Sequence, residues 1–327
     1  MRLTRKVLIF FFLFVSTFSG AEQKLSIEEQ MKLSLKGRDL LLARNYAEAE
    51  VFLQKIVNDW PGELLGYFGL MALYQVRNLE NFDFRFDSQY KPWEEKGRRA
   101  ALKITRNPNA DPWDLLLAGG TLGISGFYRF HNEKWFAALR DASTAFHSLE
   151  KCYRKDPPKA IDALLGIGLY DYWRSHFTRK LRFLPFFPDR REEGIAKMIK
   201  AKSESEFSSV LGEISLAFID FQEKRYQKVL ETAGRLLKRY PQNTILRMLQ
   251  GEALISMKKY QEAVKEFEAI LSIDPSITKS YLFIGMAYAK EGKNPEKAKE
   301  FLTKFLEAEP NAPSHWRKPA LEKLKKL

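Results

Sequence analysis

Asp171, Arg174 and His176 stand close together in LYDYWRSHF, and a carboxylate, a guanidinium and an imidazole on one short stretch could move protons about a substrate. The same three residues suit the polar end of an amphipathic helix, which is the simpler account of them. The four histidines, His131, His147, His176 and His315, are scattered, and none forms a pair at metal-ligand spacing. Cys152 is the one cysteine and has no histidine near it in sequence, so it can form no internal disulfide and reads as a small buried apolar residue. Phosphate-binding glycine loops, nucleophile elbows and dinucleotide fingerprints are absent from the sequence. No catalytic, cofactor-binding or metal-ligating residues are therefore assigned, no cofactor or metal is expected, and the chain reads as a non-enzyme. An enzyme hidden in the middle region is the weaker alternative, and would need a deep polar pocket joining Asp171, Arg174 and His176.

The elements around those residues are helical. RYQKVLETAGRLLKRYP (225–241) aligns with KYQEAVKEFEAILSIDP (259–275) so that Tyr226 and Tyr260, Leu236 and Ile270, and Pro241 and Pro275 recur at 34-residue intervals. NPEKAKEFLTKFLEAEP (294–310) is a further copy, displaced by one inserted residue in the turn Gly292-Lys293-Asn294. KGRDLLLARNYAEAEVFLQKIVNDWP repeats the register with Gly37, Tyr46, Ala49, Leu53, Ile56 and Pro61. A single helix pair cannot hide its apolar face, so neighbouring pairs must stack into one continuous core.

These residues resemble the tetratricopeptide repeat family over about 30–63 and 210–312. Ala217, Gly251 and Gly285 fall where the family packs its first helix closely on its second; Tyr226 and Tyr260 match the aromatic that starts the second helix, and Asn294 departs from it. The resemblance implies an all-α fold, a right-handed superhelical solenoid of antiparallel helix pairs, whose first helices line a concave side. Leu211, Phe218, Gln222, Ile245, Glu252, Lys279 and Met286 are then the expected partner contacts.

Between 64 and 209 the helix pairs vary in length. ELLGYFGLMALYQVRN (63–78) pairs with PWEEKGRRAALKITRNP (92–108) across the turn-like NFDFRFDSQYK; 112–130 pairs with 134–157, and 159–177 with 189–206. Gly119, Gly123 and Gly126 share one helix face, which reads as tight packing on Ala137, Ala138, Ala142 and Ala145. The succession AGGTLGISGF, ALRDA, LLGIGLYDY and LPFFPDRREEG resembles a divergent, membrane-associated tetratricopeptide branch that includes a fungal mitochondrial outer-membrane protein and animal relatives; this implies a scaffold near membranes.

LRFLPFFPDRRE (181–192) interrupts the helical pattern, because Pro185 and Pro188 oppose helix and push Leu184 and Phe187 toward extended backbone. From Arg174 to Lys202 nine Arg or Lys face three acids, a net of +6. Two readings stand. In one, Phe183, Phe186 and Phe187 fold back on the preceding helices while the arginines pair with acids such as Asp171. In the other, Arg182, Phe183, Phe186, Phe187, Arg190 and Arg191 touch a partner or an anionic membrane surface.

At the N-terminus Arg2, Arg5 and Lys6 precede the run VLIFFFLFV, and Ser19-Gly20-Ala21 then supplies small residues, the pattern of a secretory signal with cleavage expected after Ala21. The run meets Ser16 and Thr17 too soon to span a bilayer. Removing that segment would leave +10 of the +13 charge, which favours acidic protein partners or anionic lipid and makes nucleic acid a poor candidate.

The expected organisation is a signal at 1–21, an N-terminal repeat at 22–63, a divergent helical region at 64–209 with its aromatic and basic loop at 178–189, three repeats at 210–312, and a capping helix at 313–327. The expected function is an exported, periplasmic or cell-envelope scaffold that binds a protein or peptide, with a peripheral membrane organiser acting through 181–192 as the alternative.

Overall fold

Amphipathic segments of the observed lengths bury their apolar stripes by pairing, and the pairs follow one another along the chain. The computed structural model describes residues 25–81, 85–158, 160–179 and 188–327; the signal-like segment and the aromatic tip of the loop (Arg182, Phe183, Phe186 and Phe187) lie outside them. The described residues contain fifteen α-helices and no strand. α1 (Ile27–Leu42) pairs with α2 (Tyr46–Asp59), α3 (Leu64–Asn81) with α4 (Asp87–Arg106), α5 (Pro112–His131) with α6 (Trp135–Lys155), and α7 (Ala163–Phe177) with α8 (Arg191–Glu204). α9 (Ser208–Gln222) pairs with α10 (Tyr226–Arg239), α11 (Thr244–Ser256) with α12 (Tyr260–Ile273), and α13 (Lys279–Glu291) with α14 (Pro295–Ala308), before the single α15 (Ser314–Leu324). Each helix packs on the next, and the first helix of each pair packs more lightly on the first helix of the following one, which is the contact pattern of a solenoid. Among the described residues no helix is long and apolar enough to cross a membrane.

One backbone turn is used four times. Arg44, Glu133, Lys224 and Lys258 take the left-handed conformation, at φ 64°, 57°, 61° and 63°. The N–H of the following residue then reaches the carbonyl five positions back, as in Asn45 to Leu40 at 2.9 Å, Lys134 to Arg129 at 2.9 Å, Arg225 to Asp220 at 2.7 Å and Lys259 to Leu254 at 2.9 Å, which closes the end of the first helix. The second helix begins on Tyr46, Trp135, Tyr226 or Tyr260, and three residues on each buries a small side chain, Ala49, Ala138, Val229 or Ala263. Trp135 is thus a further copy of the helix-initiating aromatic, in a stretch whose sequence shows the repeat weakly.

Close helix approach explains several glycines. A Cβ on Gly251 would stand 2.6 Å from the Phe267 ring, and one on Gly285 would stand 2.7 Å from Leu302. Gly168 and Gly194 face each other between α7 and α8, each Cβ position lying 2.5–2.6 Å from the other's carbonyl oxygen. Gly119 abuts Leu149 and Gly126 abuts the α6 backbone, but Gly123 faces open space, so the glycine stripe of α5 is only partly a packing surface.

α4 starts five residues ahead of the start expected at Pro92 and carries that proline inside it. Tertiary contacts outweigh the lost backbone bond here. Tyr90 is fully buried and its ring packs, tilted, 4.2 Å from that of Tyr128, whose hydroxyl donates to Asp87 at 2.8 Å, and the Phe86 N–H donates to Asn78. Asp141, 1% exposed, ties the middle together by accepting from Arg98 at 2.8 Å and from Ser125 at 3.0 Å. Burial alone would raise its pKa, and the Arg98 bonds and Arg129 charge overcome this and hold it below the usual carboxylate value. Cys152 is buried, donates to the Pro112 carbonyl, and is pushed by burial up to about 12.

The solenoid bends until its first helices meet its last repeats. Arg38 donates to the Glu206 and Phe207 carbonyls at 2.7 and 2.9 Å, and Asn243 donates to the Leu42 carbonyl at 2.9 Å. Leu42 joins Val210, Leu236, Tyr240 and Leu246 in one apolar cluster. Farther along, Asn81 donates to the Ser276 carbonyl at 3.0 Å and Arg85 pairs with Glu309 at 3.0 Å. The N-terminal hairpins therefore cover the leading ends of α11 and α13.

Candidate functional site

The trailing ends of the same inner helices stay open and frame a cleft of about 230 Å³. α9 contributes Phe221, α11 contributes Glu252, Ile255 and Ser256, and α13 contributes Leu282, Phe283, Met286 and Lys290. α15 supplies the far wall with His315, Trp316 and Pro319. The walls are rigid because their aromatics interlock: Phe267 stacks on Phe283 at 5.0 Å, and Phe283 meets the edge of Trp316 at 5.9 Å. The interior is mainly apolar, with Glu252 within it and Lys290, His315 and Ser256 exposed at its rim.

The expected concave contacts divide along this axis. Glu252 and Met286 line the cleft. Phe218 and Gln222 are exposed on α9, and the Gln222 amide lies 3.4 Å from His176 Nε2 on α7. Leu211 and Ile245 are partly buried near the leading ends of their helices and lie outside the cleft lining. Lys279 is a correction: it is 3% exposed, with its ammonium 4.5 Å from the Trp316 ring and 5.6 Å from that of Phe283, so it supports the cleft from behind. Burial drives its pKa down to about 7, with the charge of Glu252 opposing the shift. Glu252 moves the other way, its carboxyl raised by burial against the attraction of Lys279.

Phe221, Ile255 and Lys290 escaped the sequence reading although their register was visible. Phe221 and Ile255 are one repeat apart, as are Gln222, Ser256 and Lys290, and both sets lie one turn beyond Phe218 and Glu252. Nothing in the repeat pattern points to the α15 wall. His131, at the end of α5, reaches the same neighbourhood: burial lowers its pKa first, and Lys279 and His315 add to the effect.

The residues considered for proton transfer are occupied structurally. Asp171 is 2% exposed; Lys197 donates to its carboxylate and Arg190 stands 3.9 Å away. His176 lies among Tyr172, Trp173 and Phe177 as one ring of an aromatic cluster. The two described residues of the loop surface turn toward the chain's own groups. The Arg190 N–H donates to Ser175, and Arg191 pairs with Asp189 and Glu223, both at 3.1 Å. Among the described residues no group of three or more His, Cys, Asp or Glu could hold a metal ion.

Comparison with known proteins agrees with the repeat register. Residues 246–277 and 278–312, which are α11 to α14, match the tetratricopeptide repeat family. Small glutamine-rich tetratricopeptide repeat-containing protein 2 of Saccharomyces cerevisiae is 36% identical over 86 residues, 26% of this chain, and the chain spans only 25% of that protein. Among solved structures, YrrB, described as a TPR protein with an unusual peptide-binding site, is 19% identical with a TM-score of 0.46, covering 70% of this chain and 98% of its own. A tetratricopeptide repeat protein from Parabacteroides merdae is 15% identical with a TM-score of 0.42, covering 90% of this chain and 97% of its own.

Proposed function

We propose that this chain, which is a tetratricopeptide repeat protein, works as a non-catalytic scaffold that seats a peptide or a protein segment in the cleft between α9, α11, α13 and α15. Tetratricopeptide repeats are protein-interaction modules, and a preformed concave surface binds by burying apolar area without first paying to order itself. The observation that carries the reading is the cleft itself: apolar walls locked by stacked rings, with Glu252 inside and Lys290 and His315 at the rim to set the orientation of a ligand. The exposed Lys290 ammonium at the rim and the net charge of +10 that would remain after removal of the signal favour a segment carrying acidic residues beside its apolar ones. Export to the cell envelope is proposed from the basic and apolar residues ahead of Ala21.

The test is cross-linking in cells of the full chain and of a Ser256→Trp, Met286→Arg variant, followed by identification of the captured proteins. Ser256 is exposed and Met286 partly exposed, so the variant blocks the cleft without emptying the core. Partners captured by the native chain and lost by the folded variant are cleft ligands; an unchanged set of captured proteins refutes the reading.

A further inference from the structure

Four hairpins share one turn, so their side chains can be compared position by position. The first residue of the second helix is partly buried where it is Tyr46, Tyr226 or Tyr260, but Trp135 is 56% exposed. The next position points outward in all four and is Ala47, Gln227 or Gln261 in the others; in α6 it is Phe136, 92% exposed. One helical turn on, Leu139 is 61% exposed where Val264 of α12 is buried. The exposed apolar surface continues onto neighbouring helices. Phe130 meets Trp135 at 4.9 Å and Phe177 at 5.4 Å, and both Phe127 and Phe177 are substantially exposed. Apolar area of this kind is rare on a surface unless something covers it.

We propose that this end of the α5–α6 hairpin is a membrane-contact site that seats on an anionic lipid bilayer. Its shape favours a lipid partner. Trp135 and Phe136 stand exposed at a hairpin end, where their rings can enter a yielding acyl layer. Tryptophan belongs at the headgroup level, with its apolar ring inward and its N–H in the polar zone. The charge around the rings is complementary to such a surface. Lys134, Arg140 and Arg179 are exposed around the patch against the acid Glu133 in the hairpin turn; Asp141, which Arg98 and Arg129 hold, also lies 3.8 Å from Arg140. A contact made by a few rings at a hairpin end is interfacial. Trp135, Phe136 and Leu139 are not among the residues that line the inner cleft, and His131, which meets Phe127 at 4.4 Å and Phe130 at 5.9 Å, joins the patch to that side of the molecule.

Flotation of the full chain with vesicles tests this, using phosphatidylcholine alone or mixed with phosphatidylglycerol. The native chain and the variants share residues 1–24 and 180–187, so any difference between them belongs to the hairpin end. A Trp135→Ser, Phe136→Ser, Leu139→Ser variant should lose about tenfold or more in affinity for the mixed vesicles, since each side chain gives up much of its transfer to the interface. A Lys134→Glu, Arg140→Glu variant should bind the mixed vesicles severalfold more weakly and bind phosphatidylcholine unchanged. Circular dichroism checks that both variants keep the native helicity, as substitutions at exposed positions should allow. Equal flotation of native and triple variant overturns the proposal. So does loss of a sedimenting dimer in the triple variant with vesicle binding unchanged, which would make the patch a contact between copies of the chain.

Discussion

Arg44 and Glu80 clasp the two ends of the solenoid: the guanidinium Nε lies 2.7 Å from the Glu80 carboxylate, and the same guanidinium reaches Asp274 on the far side of the superhelix. Thr244, which opens α11, donates to Glu80 as well, and the Tyr46 hydroxyl completes the carboxylate's partners at 3.1 Å. Both charged groups are largely out of water, with side-chain exposures of 14% and 7%. Curvature is fixed at this point, and with it the separation of the elements that frame the cleft.

Glu80→Gln should therefore open the superhelix without melting its helices. The substitution removes the charge opposite Arg44 and weakens the bond from Thr244, while Asp274 still pairs with Arg44, a loss of about 1–3 kcal/mol. Small-angle scattering should show a larger radius of gyration at unchanged far-ultraviolet circular dichroism. An unchanged radius would mean that the apolar cluster around Leu42 closes the ring unaided.

The clasp also shows what a sequence can and cannot disclose. The 34-residue register of Tyr226, Tyr260, Pro241 and Pro275 is a local property, since each repeat must solve the same packing problem, and it places α9 to α14 directly. Arg44 and Asp274 are 230 residues apart and neither breaks the helical pattern, so their meeting leaves no trace in it. The hairpin turns were hidden for a different reason. Glycine is the usual left-handed residue after a helix, but Arg44, Glu133, Lys224 and Lys258 occupy that place and read as ordinary surface charge. Of the eleven residues that line the cleft, Glu252 and Met286 were legible as contacts; its far wall is α15, which follows the last repeat and has no register to betray it.

Those turns make a prediction with a positive sign. A residue with a Cβ held left-handed costs about 1–2 kcal/mol locally, part of which glycine returns through its greater freedom when unfolded. Lys224 and Lys258 are exposed, at φ 61° and 63°. Lys258→Gly should thus stabilise the C-terminal repeats by roughly 0.5 kcal/mol, and Lys224→Gly by a similar amount. Urea melts of the single variants and of the pair would check this; a fall in midpoint would show that the lysine side chains contribute more than the backbone strain they impose.

Close approach predicts the opposite for other glycines. A methyl group at Gly285 would lie 2.7 Å from Leu302 Cγ and 2.9 Å from its backbone nitrogen, so the side chain cannot relieve the clash by rotating. At Gly168 the obstruction is the Gly194 carbonyl at 2.5 Å, again backbone. Gly285→Ala and Gly168→Ala should each destabilise by about 1–3 kcal/mol, whereas Gly123→Ala, facing open space, should be neutral or slightly stabilising through helix propensity. Thermal melts of the three proteins together test the ranking.

The buried amine behind the cleft should give stability an unusual pH dependence. Burial lowers the pKa of Lys279 from 10.5 to about 7. Between those values the unfolded chain holds a proton that the folded chain has released, so stability rises with pH across the interval, by up to about 1.4 kcal/mol per pH unit. Glu252 acts in the opposite sense lower down. Its folded carboxyl titrates above 4.5, so the folded chain holds the extra proton there, and that contribution fades as pH rises through the folded value. Lys279→Met keeps an apolar stem beneath Trp316 and removes the titrating amine. The variant should melt higher than the native chain at neutral pH, and the gap should close as pH rises toward the onset of tyrosine ionisation. A gap that stayed constant over that range would show that Lys279 is solvated in the folded protein and that the wall of the cleft is looser than its stacked rings imply.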